Sequence, residues 1–306
     1  MALVTETFFG VEDKVALSIE ALRTFEPPEG YYLAFSGGKD SVVIKKLCDL
    51  AGVKYDAHYS VTSVDPPELV QFIKEKYPDV SRDIPHDKSG KPVTMWSLIP
   101  QKLMPPTRLV RYCCEYLKET SGQGRFTVTG VRWAESSNRK LNQGLATVIN
   151  PDDELRANAH FINQQGGGVF LNSDNAETRE LLESCYKKKK TLLNPIINWE
   201  DEDVWEFIRK YNVPYCKLYD EGYSRLGCIG CPMGSNRIAE LERYPKYKQA
   251  YIRAFDKMLK ERERRGKVTK WTSAKDVMDW WLYGEKQKDI SIEGQLEIDF
   301  NGEYRE

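Results

Sequence analysis

Long apolar runs, an excess of one charge and paired histidines are all missing from this 306-residue chain, and each absence removes a class of function; no secretory leader is expected. No stretch approaches the ~20 uncharged apolar residues needed to cross a bilayer, so no membrane partner is expected. The opening residues are polar and acidic, without the basic segment and apolar core of a leader. Lys and Arg number 45 against 46 Asp and Glu, a net charge of −1, so no general basic field attracts nucleic acid. Lys187–Lys190 and the run Lys260–Arg265 offer local basic patches, for which a solvated helix face is the plainer reading. His58, His86 and His160 have no spacing that suggests a metal pair or catalytic dyad. No internal repeat is evident.

What is present is 41% apolar residues, enough for one large core, and seven cysteines without a secretory context. A cytoplasmic protein with free thiols is expected, and metal binding or redox chemistry explains the cysteines better than a disulfide framework.

Tyr31–Phe35 reads as a buried strand stopped by Ser36-Gly37-Gly38, and Ser41–Leu50 as an amphipathic helix with Gly52 just beyond it. Lys54–Ser60, Pro66–Tyr77 and Val80–Ile84 repeat strand, helix and strand; a helix is placed near Cys113–Thr120 and a strand at Phe126–Val131. The alternation predicts an α/β fold with a doubly wound, mostly parallel sheet. A polar, glycine-rich excursion covers about 150–175. From Trp199 the chain turns helical, with Asp201 as a candidate cap, followed by helical patterns at Ile238–Arg265 and Ser273–Tyr283. Residues 1–200 are expected to form the nucleotide-binding α/β domain and 201–306 a helical C-terminal region carrying a CxxC pair. Trp280-Trp281 and the tyrosines of 244–251 are assigned to packing.

Ser36-Gly37-Gly38-Lys39-Asp40-Ser41 lies between strand and helix, where free N–H groups and the helix dipole favour an anion. Glycine admits phosphate oxygens close to the backbone, Lys39 adds charge, and Ser36 and Ser41 carry hydroxyl donors. Asp40 is unexpected in an anion trap; it suits a residue that orients the loop or holds a phosphate-bridging magnesium ion. The spacing is not that of the GxxxxGK[ST] loop. Arg132 and Arg139 follow a strand end, the usual ligand side of a parallel sheet, and each serves there as a phosphate grip or a surface ion pair.

Cys228-Ile229-Gly230-Cys231-Pro232 lets two thiolates face one ion or cluster and resembles the cysteine–proline end of ferredoxin motifs. Two ligands do not close a site; Cys113 and Cys114 would complete four. Four thiolates hold zinc as readily as iron and sulfide, and a CxxC also serves as a redox pair, although the strand-to-helix setting of that motif is lacking here. Cys185 and Cys216 are spare candidates, and Cys48, inside the first helix pattern, is assigned to the core.

Ser36–Ser41 resembles the signature of the PP-loop superfamily of ATP pyrophosphatases, which split ATP between the α and β phosphates and adenylate an acceptor oxygen. Gly130-Val131-Arg132-Trp133-Ala134-Glu135-Ser136, with Arg139, resembles the phosphate- or sulfate-contacting segment of the phosphoadenosine phosphosulfate and adenosine phosphosulfate reductase branch, and Pro214–Cys228 its approach to the second cysteine motif. The likeness spans roughly Tyr31 to Pro232. It implies ATP with Mg2+ at Ser36, Gly37, Gly38, Lys39, Asp40, Ser41, Gly130, Arg132 and Arg139. It further implies an iron–sulfur cluster, of the 4Fe-4S type, on Cys113, Cys114, Cys228 and Cys231, with zinc as the alternative. Lys118 completes the family's CCxxxK pattern and is placed with Lys39, Asp40 and Arg132 among the catalytic residues.

Reductases of this kind usually lack the loop lysine and carry a cysteine near the C-terminus; here Lys39 is kept and Ile290–Glu306 holds no cysteine. The combination is similar to the enzymes of DNA phosphorothioation and tRNA thiolation. The expectation is therefore adenylation of an acceptor for sulfur transfer, with sulfonucleotide reduction and a non-catalytic nucleotide sensor as alternatives. Expected partners are an adenine nucleotide and a sulfur donor such as a cysteine desulfurase, or a thiol reductant; a nucleic-acid acceptor and a homodimer are left open.

Overall fold

The computed structural model describes residues 3–7, 10–119, 121–149, 163–165, 168–171 and 191–284. A hairpin of β1 (Val4–Thr7) and β2 (Gly10–Asp13) stands apart from the main sheet. Asp13 caps α1 (Lys14–Thr24) by accepting from the Val15 and Ala16 N–H groups. The nucleotide-type repeat follows as β3 (Tyr31–Ala34), α2 (Lys39–Ala51), β4 (Tyr55–Ser60), α3 (Pro67–Lys76) and β5 (Ser81–Asp83). Gly52 ends α2 in the left-handed region at φ 71°, the stop foreseen from its glycine.

After α4 (Met95–Lys102) comes a single turn, α5 (Tyr112–Cys114), which continues as a π-helical turn over Glu115–Glu119. The expected helix at Cys113–Thr120 is thus mostly wide-turned, a form that often accompanies functional residues. Next are β6 (Phe126–Val128), α6 (Ser137–Asn142), β7 (Ala146–Ile149), β8 (Asn163–Gln165), β9 (Gly168–Leu171) and β10 (Thr191–Leu193). The eight-stranded sheet runs β5-β4-β3-β6-β10-β7-β9-β8. Its first five strands are mutually parallel, and β7, β9 and β8 add antiparallel. The fold is therefore the mixed α/β, mostly parallel one that the sequence predicts. The excursion over 150–175 falls largely outside the described residues, as do Lys187–Lys190, His160 and Cys185. The three-residue β10 was not foreseen; it is too short to carry a pattern.

Helices α7 (Asp201–Lys210), α8 (Arg237–Arg243), α9 (Pro245–Arg264) and α10 (Ala274–Tyr283) complete the described chain. Two sequence expectations change here. The cap of α7 is Glu200, in a reciprocal box with Asp203, and Asp201 is the first helical residue. The pattern at Ile238–Arg265 is two helices, because Pro245 has no N–H to continue the first and fits the opening turn of the second.

The sheet has two unlike faces. Alternate residues Tyr31, Leu33, Ala57, Phe126, Val128 and Leu193 are buried in one core with Val43 and Leu47 of α2, Leu69 and Ile73 of α3 and Phe207 of α7. Each such large side chain contributes about 1.5–3 kcal/mol. The intervening residues Tyr32, Asp56, His58, Ser60 and Thr127 occupy the other face, which is largely polar. A second apolar core lies apart, joining Leu98, Tyr112 and Leu117 to Ile229, Tyr251, Phe255 and Trp281.

Lys14 of α1 donates to Asp203 Oδ2, and Asp203 is fully buried. That pair fixes the start of α7 against α1. Removing only the cation strands a buried carboxylate, which costs about 3–5 kcal/mol. Lys14→Met is expected to lose about that much stability in urea titration, and Lys14→Met with Asp203→Asn to recover much of it. Unchanged stability in the single variant contradicts this role.

Candidate functional site

The turn before α2 depends on Gly37, whose φ is +72° and where a Cβ would lie 2.8 Å from side-chain carbons of Leu69 and Ile73. Ser41 Oγ donates to the Gly38 carbonyl at 2.9 Å and Ser36 Oγ to Ser41 Oγ at 3.3 Å, bracing the turn from within. Gly38 is the N-cap and brings no side chain to the helix end, leaving first-turn N–H groups without helical partners. One of them, Lys39 N–H, donates to the Tyr219 hydroxyl at 2.8 Å.

Behind the turn lies a network of ion pairs. Arg132 is 1% exposed. Its Nε donates to Asp40 Oδ1 (2.7 Å), its Nη2 to Asp201 Oδ1 (2.7 Å) and its Nη1 to the Trp199 carbonyl (3.2 Å). Lys39, also buried, reaches Asp201 Oδ1 at 3.3 Å, Asp40 Oδ2 at 3.7 Å and the Ser224 carbonyl at 3.5 Å. Gly130 is the space that admits Asp40: a Cβ on it would meet the Asp40 Cβ at 2.8 Å. Arg139 pairs with Glu135 one turn back. Burial, then the neighbouring charges of Arg225, Arg132 and Arg111, hold it below the ordinary arginine value despite the opposing pull of Asp40.

On the polar face of the sheet lies a partly open cavity of about 150 Å3, smaller than the roughly 300–1,000 Å3 typical of sites that enclose a whole small molecule. Ser36, Lys118, Leu226 and Gly227 line it, and Tyr32, His58, Ser60 and Thr127 form part of the sheet wall. Tyr32 and His58 stack with ring centroids 4.3 Å apart. The His58 ring nitrogens face Asp56 and Asp83. Ser36, the first residue of the glycine turn, and Gly227, the residue before Cys228, thus line one space.

Cys113 and Cys228 pack on the second core beside Tyr251. Burial, then the charges of Cys228, Cys113 and Cys231, push the Tyr251 hydroxyl well up, which draws both cysteine pairs into one neighbourhood. The hydrogen bond from Cys113 lowers the Cys114 thiol, and Arg111 adds to that against the effect of burial. Cys228 Sγ lies 3.8 Å from Thr62 Oγ1 and 3.9 Å from Asp65 Oδ1. Its charge raises the Lys118 ammonium above the usual lysine value, although burial opposes this. Four thiols are a donor set that suits zinc or an iron–sulfur cluster. Among the described residues, however, no three His, Cys, Asp or Glu side chains stand at metal-holding geometry. Cys48 and Cys216 are buried in the first core.

Sequence reading missed Tyr219, Asp201 and the His58 cluster. Tyr219 and Asp201 reach the loop from about 160–180 residues away, with no local signal. The polar alternation Asp56, His58, Ser60 within a strand was a signal, since one face of a buried strand should not be polar without a use.

The phosphoadenosine phosphosulfate reductase domain model matches residues 30–233. The adenosine 5'-phosphosulfate reductase of Shouchella clausii is 24% identical over 224 residues, covering 70% of this chain and 76% of that protein. The enzyme of the same name from Staphylococcus haemolyticus is 33% identical over 227 residues, covering 69% and 73%. Among solved structures, the phosphoadenylyl-sulfate reductase of Candida auris in a phosphate complex aligns with TM-score 0.40 and 16% identity, over 69% of this chain and 87% of that one. Since the match runs unbroken from the strand before the phosphate turn to the end of the second cysteine pair, the chain belongs to the phosphoadenosine phosphosulfate reductase family of the PP-loop superfamily.

Proposed function

We propose that this protein binds ATP with magnesium across Ser36–Ser41 and the adjoining cavity, releases pyrophosphate and adenylates an acceptor oxygen that sulfur then replaces. The observation that carries the reading is the shared cavity, lined by Ser36 of the glycine turn together with Lys118 and Gly227, the residue next to Cys228. The retained Lys39 favours a triphosphate over a phosphosulfate. In the adenylation step the acceptor oxygen bonds to the α-phosphorus while the bond to the β-bridging oxygen breaks, and pyrophosphate leaves with the electron pair. A sulfur nucleophile afterwards displaces AMP from the acceptor. Lys39 and the first-turn N–H groups of α2 offset charge on the departing phosphates, and Asp40, fixed by Arg132, orients the turn.

Cys113, Cys114, Cys228 and Cys231 are the residues that would hold an iron–sulfur cluster or zinc, and a bound cluster would supply sulfur- or electron-handling chemistry beside the nucleotide. A sulfur donor protein, or a thiol reductant, completes the cycle. A second reading, reduction of a sulfonucleotide, is favoured by the relatives, which are named as adenosine 5'-phosphosulfate reductases.

Calorimetry separates the two. ATP with magnesium is expected to bind more tightly than adenosine phosphosulfate, and Lys39→Met to weaken ATP by about tenfold at unchanged melting temperature. Tighter binding of the phosphosulfate, indifferent to Lys39, transfers the assignment to the reductase.

Anaerobically purified protein is expected to be brown, with iron and sulfide that Cys228→Ser abolishes. Colourless protein with zinc replaces the cluster by a zinc site, and protein with neither contradicts a metal role for the four cysteines.

A further inference from the structure

Neither cation of the phosphate loop is free. Asp201 Oδ1 lies 2.7 Å from Arg132 Nη2 and 3.3 Å from Lys39 Nζ, so one carboxylate oxygen is shared by both. Asp40 supplies the second carboxylate, 2.7 Å from Arg132 Nε and 3.7 Å from Lys39 Nζ. Two cations thus meet two anions. A phosphate approaching this quartet gains little net Coulomb attraction from it.

The two carboxylates differ in how easily they leave. Asp40 is 20% exposed at the side chain and wedged against Gly130. Asp201 is 62% exposed at the side chain, and Arg132 and Lys39 are the partners of its carboxylate among the described residues. Most of its side-chain surface already faces water. Arg132 cannot follow, because it is 1% exposed and its Nε and Nη1 are held by Asp40 and the Trp199 carbonyl. A buried guanidinium deprived of one partner requires another oxygen at Nη2, and a nucleotide's phosphate brings one.

We propose that Asp201 is an internal counter-anion of the phosphate loop: it holds the place of a phosphate oxygen until a nucleotide displaces it, and so sets how much charge a ligand must carry to bind. The inference rests on the nucleotide-binding reading above. Burial pushes the Asp201 carboxyl up, but the Arg132 hydrogen bond and the Lys39 charge outweigh this and keep it below the usual carboxylate range, hence ionised. Neutralising it adds one positive charge to the quartet, and the gain grows with the negative charge of the ligand. Metal-free ATP and pyrophosphate should gain most, ATP with magnesium less, and AMP least. Asp201 also stands in the first turn of α7, where a carboxylate favours the helix dipole. A purely structural role there predicts lower stability and no change in anion affinity, which distinguishes it from the proposal.

The test is calorimetric titration of pyrophosphate, metal-free ATP, ATP with magnesium and AMP into wild type, Asp201→Asn and Asp201→Glu at low ionic strength, with melting temperatures alongside. Asp201→Asn should bind pyrophosphate and metal-free ATP about three- to tenfold more tightly, the screened effect of one exposed charge, and AMP nearly unchanged. Asp201→Glu, which keeps the charge, should stay near wild type. If the asparagine variant fails to fold, Asp201→Ser carries the same measurement. Pyrophosphate affinity that is unchanged or weaker in the neutral variant, while wild type binds ATP, overturns the role of Asp201 and leaves the nucleotide reading standing. Failure of wild type to bind any of these ligands overturns both.

Discussion

A guanidinium with almost no solvent must be bonded on every side, and the Ser36–Ser41 region of this molecule is organised by how Arg132 meets that demand. Its three bonds join the segment after β6 to the start of α2 through Asp40, and to the approach and start of α7 through Trp199 and Asp201. Gly130 leaves room for Asp40, and Lys14 holds Asp203 two residues beyond Asp201. The turn at Ser36–Ser41 is therefore tied, through Asp40 and Arg132, to the segment after β6 and to the start of α7. A preformed turn spends little conformational entropy on gripping a ligand.

The unequal faces of the sheet give that turn somewhere to lead. One face is closed by α1, α2, α3 and α7 over an aliphatic and aromatic core. The other keeps Tyr32, His58, Ser60 and Thr127 along a cavity that Ser36, Lys118 and Gly227 also line. Under the proposed function, the nucleotide and Cys228 would therefore be served by one partly open cavity. The second core packs Cys113 and Cys228 beside Tyr251.

Local pattern made the first half of this legible. The change from alternating to helical periodicity around Ser36–Ser41 located strand, turn and helix, and Gly52 marked the stop of α2. Arg132 was located but not its direction: a residue after a strand end reads as open to a ligand, and its burial is set by carboxylates 92 and 69 positions away. Asp201 was read as a cap because an acid before an apolar helix usually is one; its tie to Lys39 has no sequence signature. The break at Pro245 was visible and was passed over in favour of continuous periodicity. The two cysteine pairs were joined through resemblance alone, since nothing in their spacing brings Cys113 toward Cys228.

The claim that nucleotide and cysteine chemistry meet in one cavity is open to direct measurement by alkylation of metal-depleted protein, following Cys228 by peptide mass spectrometry with and without saturating ATP. Occupation of the shared space predicts that ATP slows the reaction of Cys228 several-fold. An unchanged rate at Cys228, in protein shown by calorimetry to be filled with ATP, would contradict the account.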